Sequence, residues 1–290
     1  MPIFVPRNNL FDMKYFIVDA FTDKPFGGNP AGIVLLDDGQ DFPDEMLMQQ
    51  LAAEFRYSET AFVRQHSSTE FTTRYFTPRG EVDLCGHATI ATFGTLYQMG
   101  LVASGTICLN HTLAGDLKVN AGNTVMMEMA APQILPVEID VERLRSIMGA
   151  ENLQTKMPVQ VISTGLPDII MPVDNLNDLC PDMEALAQLS KELGVTGVHA
   201  FEIENDSYTA HVRNFAPLYG IPEESATGTA NAALTHYLHS NGIIACPAEC
   251  RFLQGEAMNR PSLVSTLLLP DGAIWVGGNC TIIASGTLLL

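Results

Sequence analysis

Positive charge is the scarcest property of this chain. Its 290 residues hold 33 Asp and Glu against 15 Lys and Arg, a formal net charge of −18 at pH 7. So acidic a surface repels phosphate backbones and anionic membranes, so no nucleic acid and no membrane is expected as a partner. Nor does it steer an anionic small molecule from a distance, and any anion site must be built locally. Paired-cysteine motifs are missing too. The six cysteines, at 85, 108, 180, 246, 250 and 280, form no Cys-x-x-Cys and no Cys/His spacing of a zinc site. They read as free thiols in a reducing compartment, which makes a cytoplasmic location the expectation. No apolar run reaches the about 18 residues that span a bilayer, and the N-terminus lacks a signal-peptide pattern. Gly-x-Gly-x-x-Gly, a Gly-Lys-Ser/Thr phosphate loop, Gly-x-Ser-x-Gly and His-Glu-x-x-His are all absent. Their absence removes the common dinucleotide, nucleotide, serine-hydrolase and zinc-protease readings, and no metal site is expected.

What is present is a pattern written twice. Arg74-Tyr75-Phe76-Thr77-Pro78 is followed by Cys85-Gly86-His87-Ala88-Thr89; Arg213-Asn214-Phe215-Ala216-Pro217 is followed by Thr227-Gly228-Thr229-Ala230-Asn231. Arg213 lies 139 residues after Arg74, and Ala200-Phe201 lies 139 after Ala61-Phe62. Each Gly that opens the helical stretch, Gly86 or Gly228, is followed 14 residues later by another, Gly100 or Gly242. The spacing predicts a duplicated unit with a pseudo-twofold and two helix starts facing one another across a cleft. The first turn of a helix leaves N–H groups unpaired at its electropositive end, a ready site for a carboxylate or phosphate.

With 47% hydrophobic and 17% charged residues the chain has apolar mass for two cores. Residues 1–12 read as an N-terminal extension, with Met13 opening the first strand. Two domains are expected, 13–131 and 132–290, with the last strand able to cross back to the first. The segment Ala130-Ala131-Pro132 to Pro136 reads as the linker. Helices are expected over 43–56, 86–99, 141–148, 182–193 and from Gly228. The first is read as amphipathic, with Met46, Leu47, Leu51 and Ala52 buried. The helix after Gly86 is small and apolar on nearly every side, which predicts a helix threaded inside a curled sheet. The element order in both halves is an α+β pattern rather than a regular βαβ alternation. In the turn-rich segment Phe26-Gly27-Gly28-Asn29-Pro30, the glycines permit close approach to a ligand or a tight hairpin, and Asn29 is a candidate substrate contact.

Chemistry is sought where the copies diverge. At the 139-residue offset Glu59 stands opposite Val198. A carboxylate there is either desolvated in the cleft, with its pKa raised toward that of a proton shuttle, or exposed on an edge strand; spacing leaves both open. His87 opens the first helix where the second copy has Thr229. The helix N-terminus predicts a lowered His pKa and a neutral imidazole. Glu223-Glu224 precede the second helix and Asp83 the first, as ligand contacts or as dipole partners. Cys85 has Thr227 as its counterpart; two facing thiols would make a two-base racemase, but one copy alone carries Cys, so Cys85 reads as a packed thiol.

These residues resemble the phenazine biosynthesis-like isomerase family. The resemblance runs from Met13 through nearly the whole chain and rests on Val18-Asp19-Ala20-Phe21-Thr22, Phe26-Gly27-Gly28-Asn29-Pro30-Ala31-Gly32, Ser58-Glu59-Thr60-Ala61-Phe62, Arg74 to Pro78 and Cys85 to Thr89. It implies a diaminopimelate epimerase-like fold, two pseudo-symmetric domains each with a rolled, mostly antiparallel sheet around a central helix. It implies Glu59 as catalytic acid/base, with His87 and an acidic residue before the second helix binding and polarising the substrate. It further implies a cofactor-free enzyme, often a homodimer. This sequence departs from the family where Glu223-Glu224-Ser225 replaces Glu-Asp-Pro and where Thr229 replaces Ser or Asn.

The expected function is a cofactor-independent isomerase that moves a proton between carbons of a small carboxylate. Glu59, His87 and Glu224 are the catalytic candidates; Gly86, Gly228, Thr229 and Asn29 are the substrate-binding candidates. A non-catalytic carboxylate-binding protein and a Cys85-dependent epimerase are the alternatives.

Overall fold

The computed structural model describes residues 13–37, 39–150 and 157–290; the expected extension at 1–12 lies outside the described residues. The first half contains β1 (Lys14–Ala20), β2 (Asn29–Leu35), α1 (Glu45–Phe55), β3 (Thr60–Gln65), β4 (Glu70–Thr77), β5 (Gly80–Val82), α2 (Gly86–Gln98), β6 (Thr106–Thr112), β7 (Gly115–Ala121) and β8 (Val125–Glu128). The second contains β9 (Gln133–Leu135), α3 (Val141–Met148), β10 (Gln160–Ser163), β11 (Pro167–Pro172), α4 (Met183–Leu193), β12 (Val198–Glu202), β13 (Ala210–Ala216), β14 (Ile221–Glu224), α5 (Gly228–Ser240), β15 (Ala248–Gln254), β16 (Ser262–Leu268), β17 (Ile274–Gly278) and β18 (Cys280–Thr287).

The strands pair in one ladder, β18-β1-β2-β3-β4-β6-β7-β8-β17-β16-β15-β13-β12-β11-β10-β9, with β5 on β4 and β14 on β13. Among the described residues four pairs are parallel: β2 with β3 and β4 with β6, then β11 with β12 and β13 with β15. The two halves are thus pseudo-symmetric. The crossovers between β4 and β6 and between β13 and β15 carry α2 and α5, each held inside a roll of sheet. Every residue of α2 from His87 to Leu96 is buried, as its all-round small and apolar surface requires. Gly94 permits the closest approach: a Cβ there would collide with the Cys280 sulfur of β18. Both central helices end on a left-handed glycine, Gly100 and Gly242, each at φ 73°. The next residue's N–H returns to a carbonyl of the last turn, Leu101 to Leu96 and Ile243 to Leu238, which explains the equal spacings.

The outer faces of the rolls are covered by α1 on one side and by α3 and α4 on the other, over separate apolar clusters. In α1 the buried side chains are Met48, Leu51 and Ala52; Met46 is 71% exposed. The expectation for Met46 is corrected because the helix begins at Glu45, capped by Asp44, and that start turns position 46 outward. The segment expected as a linker contains a strand, β9, paired to β10.

Besides β9, the short strands β5 and β14 were not expected, and they explain why Arg-x-Phe-x-Pro occurs twice. Arg74 donates to both carboxylate oxygens of Glu81 on β5, at 2.7 and 2.6 Å. Arg213 does the same to Glu223 on β14, at 2.8 Å each. The bidentate clamp holds each return strand against its long neighbour, just before the central helix begins. It also assigns the two acids ahead of α5: Glu223 is bound by Arg213, which leaves Glu224 for the interior.

The register corrects the counterpart of Glu59. Gly32 pairs with Thr60 on β3, and Ile169 pairs with Val198 on β12. The Gly32 N–H donates to the Glu59 carbonyl and the Ile169 N–H to the Gly197 carbonyl. Position 197, not 198, therefore matches 59. The dipeptide match Ala61-Phe62 with Ala200-Phe201 is misleading by one residue. Phe62 packs under α1 on the outer face while Phe201 packs within the roll, as a one-residue shift in a strand demands.

Candidate active site

Glu59 sits immediately before β3, at the end of the strand nearest the start of α2. Its Oε2 is 3.2 Å from His87 Nε2 in the first turn of α2, and the side chain is 16% exposed. That oxygen is buried and has no well-directed hydrogen-bond donor; Ser58 Oγ also lies 3.2 Å from Nε2. On the other side of the ring His87 Nδ1 lies 3.4 Å from Cys85 Sγ and 3.9 Å from Glu224 Oε1. The imidazole thus stands between an acid of the first half and an acid of the second. Neither Cys85 nor Thr227, the N-cap residues of α2 and α5, makes a side-chain capping bond. The first-turn N–H groups of both helices, Gly86 and His87 in one and Gly228 and Thr229 in the other, lack that usual oxygen.

Glu224 is held from three directions. Thr227 Oγ1 donates to its Oε2 at 2.6 Å, Asn29 Nδ2 donates to its Oε1 at 3.1 Å, and Gln254 Nε2 donates to its carbonyl at 2.8 Å. Asn29 also reaches the Ala226 carbonyl at 3.0 Å. Ser225, which stands where the resemblance expects proline, donates from Oγ to the Gly28 carbonyl at 2.9 Å. The β1–β2 turn is thereby fastened to the approach to α5. That turn is itself strained: Phe21 and Phe26 have φ of 63° and 68°, unusual for bulky residues. It is secured by Asp19, which accepts from Arg260 at 2.8 Å and from the Phe26 N–H at 2.8 Å. At Gly28 (φ 64°) a Cβ would strike the Ala20 carbonyl.

The electrostatics correct two expectations. Burial alone would raise the Glu59 pKa, but His87, with lesser help from Ser58 and Cys85, outweighs it and holds the carboxyl below its usual value. Burial alone would lower His87; the Cys85 sulfur, accepting a hydrogen bond, and the charged Glu59 carboxylate outweigh it and hold the imidazole well above its usual value. The pair is an ionised carboxylate beside an imidazolium, not a raised acid beside a neutral ring. The helix N-terminus that predicted a neutral histidine is overridden by charges only 3–4 Å away. Burial raises Glu224, partly offset by His87 and Thr227. It also pushes the Cys85 thiol up to about 11, so the sulfur stays protonated at neutral pH and is a poor base.

All of the predicted residues therefore belong to two adjoining helix starts. Glu59, His87, Glu224 and Asn29 are linked by the contacts given above; Gly86 is the helix residue beside His87. Thr229 follows Gly228 in the first turn of α5, its carbonyl accepting from Thr164 Oγ1 at 2.9 Å. Sequence reasoning missed the roles of Ser58, Ser225 and Gln254, whose partners lie far away in the chain, and that of Thr227, whose bond to Glu224 needs the turn before α5. It also missed that Glu59, Cys85 and His87 bring one ligand atom each within 4.8 Å of one another, a grouping able to hold a metal ion; Glu204, Asp206 and His211 form another at the surface.

Comparison with known proteins shows the family and the fold. The family described as phenazine biosynthesis-like protein matches residues 18–286. An uncharacterized isomerase of Bacillus subtilis is 34% identical over 79% of this chain and 81% of its own. One of Deinococcus radiodurans is 35% identical over 91% of each. A Bacillus anthracis phenazine biosynthesis protein of the PhzF family superposes with a TM-score of 0.85 at 29% identity, covering 97% of this chain and 100% of that one. A probable proline racemase from Agrobacterium radiobacter, at 12% identity and a TM-score of 0.65 over 96% of this chain and 93% of its own, shares the fold.

Proposed function

The chain belongs to the phenazine biosynthesis-like family and is an isomerase of that kind; from this premise we propose that it moves a proton between carbons of a small carboxylate, with Glu59 as the acid/base. The observation that carries the reading is the Glu59 Oε2 atom, buried, without a hydrogen bond and 3.2 Å from His87. Paired by charge with the imidazolium but without a well-directed donor, this oxygen keeps a lone pair free to meet a substrate proton. It is ionised, so it can accept a proton, and the neighbouring imidazolium stabilises the negative charge that a carbon acid develops when it loses one.

The substrate carboxylate lies against the uncapped N–H groups of Gly86 and Gly228-Thr229, with His87 supplying the local positive charge that the acidic surface does not. Glu224, positioned by Asn29 and Thr227, binds a polar group of the substrate. Glu59 takes a proton from one carbon and returns it to another; the proton balance closes within the turnover, and the reaction needs no cofactor. The chain is organised as two duplicated units, 13–131 and 132–290, and assembles as a cytoplasmic homodimer, which sedimentation velocity tests.

Incubation with a small-molecule cell extract in deuterium oxide, followed by mass spectrometry, tests the chemistry. Metabolites that gain deuterium with the wild type and not with Glu59→Gln support the reading. Full deuterium incorporation by Glu59→Gln ends it.

A further inference from the structure

One ionisable group beside the start of α5 has no part in the arrangement described above. Asp168 is the second residue of β11 and is 1% exposed. Alternation along the strand puts it on the same face as Ile170, which with Ile162 of β10 packs in the core around α5. Asp168 pairs with Ile162 one step from the tip of the β10–β11 turn. That tip is fixed to the first turn of α5, because Thr164 Oγ1 donates to the Thr229 carbonyl. The aspartate is thus directed inward at the level of the second helix start. Its Oδ1 is buried and has no hydrogen-bond partner.

A structural aspartate in a sheet interior would be expected to cap a helix, pair with a cation or accept backbone N–H groups. Among the described residues the Asp168 Oδ1 has no such partner. The equivalent position on β2 is Ala31, since Gly32 and Ile169 are matched by their pairing with Thr60 and Val198. Packing at this point in the roll is satisfied by a methyl group, as the fully buried Ala31 demonstrates. The carboxyl is an addition confined to the second half, as Glu59 is to the first.

We propose that Asp168 is a second carboxyl of the site, a neutral acid that donates its proton in a hydrogen bond to the bound carboxylate at the start of α5. This deepens the reading of the site given above and rests on the ligand lying between the two helix starts. The two halves then offer complementary acids: Glu59 ionised and able to accept, Asp168 neutral and able to donate. Burial, reinforced by the charge of Glu224, pushes Asp168 up to about 8. The surrounding titratable groups do not oppose this. His199 on β12 is pushed down to about 4 by burial and is neutral. β10 contributes no ionisable side chain, and the His236, Tyr237 and His239 side chains of α5 lie in its last two turns.

Infrared difference spectroscopy in deuterium oxide, comparing the wild type with Asp168→Asn, reads the proposal directly, with isotopically labelled acetate as the probe. A carboxylic-acid carbonyl band is expected in the wild type, absent from the variant, disappearing as pH rises through about 8. Acetate should shift this band to lower frequency. Acetate affinity in the wild type should fall as pH rises through the same range, because an ionised Asp168 no longer donates and repels the anion. In Asp168→Asn, which keeps a neutral donor, that pH dependence flattens, while Asp168→Ala binds acetate about tenfold or more weakly at pH 7. Absence of the band, or a band unmoved by saturating acetate, overturns the proposal, whatever the variants' melting temperatures. A wild type that moves no deuterium in the extract experiment would remove the role of Glu59 without touching these outcomes, so the two readings fail separately.

Discussion

Glu59 and His87 are shifted in opposite directions by one another, and that fixes how pH acts on both catalysis and stability. In the proposed reaction the ionised form of Glu59 and the protonated form of His87 are the working forms. Activity is therefore expected to fall as pH drops through the lowered Glu59 pKa and as it rises through the raised His87 pKa. For stability, the lowered Glu59 contributes fully above its unfolded value of 4.5 and loses that contribution as pH falls through the folded value. The raised His87 contributes fully below its unfolded value of 6.5 and loses it as pH rises through the folded value. Both contributions are whole between those two unfolded values, and urea midpoints measured across pH should peak in that window. Glu59→Gln should reduce turnover by about 10²- to 10⁴-fold while lowering the His87 pKa, an effect that NMR titration of the imidazole would detect. Glu59 was legible as one of two readings because the two copies diverge there, Glu59 against Val198 at the 139-residue offset, even though the register sets it against Gly197. The sign of its shift was not legible, since it depends on a histidine 28 positions later in the chain.

At the scale of the element, strand register decides which half can hold the proposed base. The position matching Glu59 is Gly197, where a Cβ would collide with the Phe215 carbonyl. No side chain fits there, so the second half is sterically barred from supplying an equivalent acid. Gly197→Ala should destabilise the protein by about 1–3 kcal/mol, as overpacking against a fixed backbone does, seen as a lower urea midpoint at unchanged slope. The outer helices were predictable to within a residue or two because their starts are written locally. Asp140 caps α3 through the Arg143 N–H, and Asp182 caps α4 through the Glu184 and Ala185 N–H groups. Asp182→Ala should cost about 1 kcal/mol, measured by thermal or urea unfolding, and leave turnover untouched because α4 packs on the far face of the sheet. The strands β5 and β14 escaped sequence reading because three or four residues give no periodicity, and their stability comes from arginines on the preceding strands.

Across the whole molecule the two rolls are tied by strands that exchange partners late in the chain. β17 pairs with β8 and β18 pairs with β1. Gln98 at the end of α2 donates to the Cys280 carbonyl at 3.0 Å. Deleting residues 280–290 would expose the edge of β1 and one side of α2 together. The expected outcome is loss of cooperative unfolding or insoluble expression, checked by circular dichroism and chromatography. Arg260 likewise reaches across the fold to Asp19 and to the carbonyls of Gly27 and Gly28. Arg260→Ala leaves the Asp19 carboxylate buried without its cation, for an expected loss of about 3 kcal/mol, together with weaker deuterium incorporation as the Asn29 turn loosens.

The sequence by itself determined the central helices, their glycine stops, the α+β order and the pseudo-symmetry, because each is carried by residues a few positions apart or by a motif that recurs. It also pointed to both helix starts and to Glu59, His87 and Glu224. Only the tertiary structure decided which acid of Glu223-Glu224 faces inward, that Gly197 rather than Val198 stands opposite Glu59, and that Asp168 lies at the second helix start. Those outcomes are matters of strand register and long-range charge. A shift of one residue turns a side chain from one face of the sheet to the other, and a partner more than a hundred residues away sets the charge it meets.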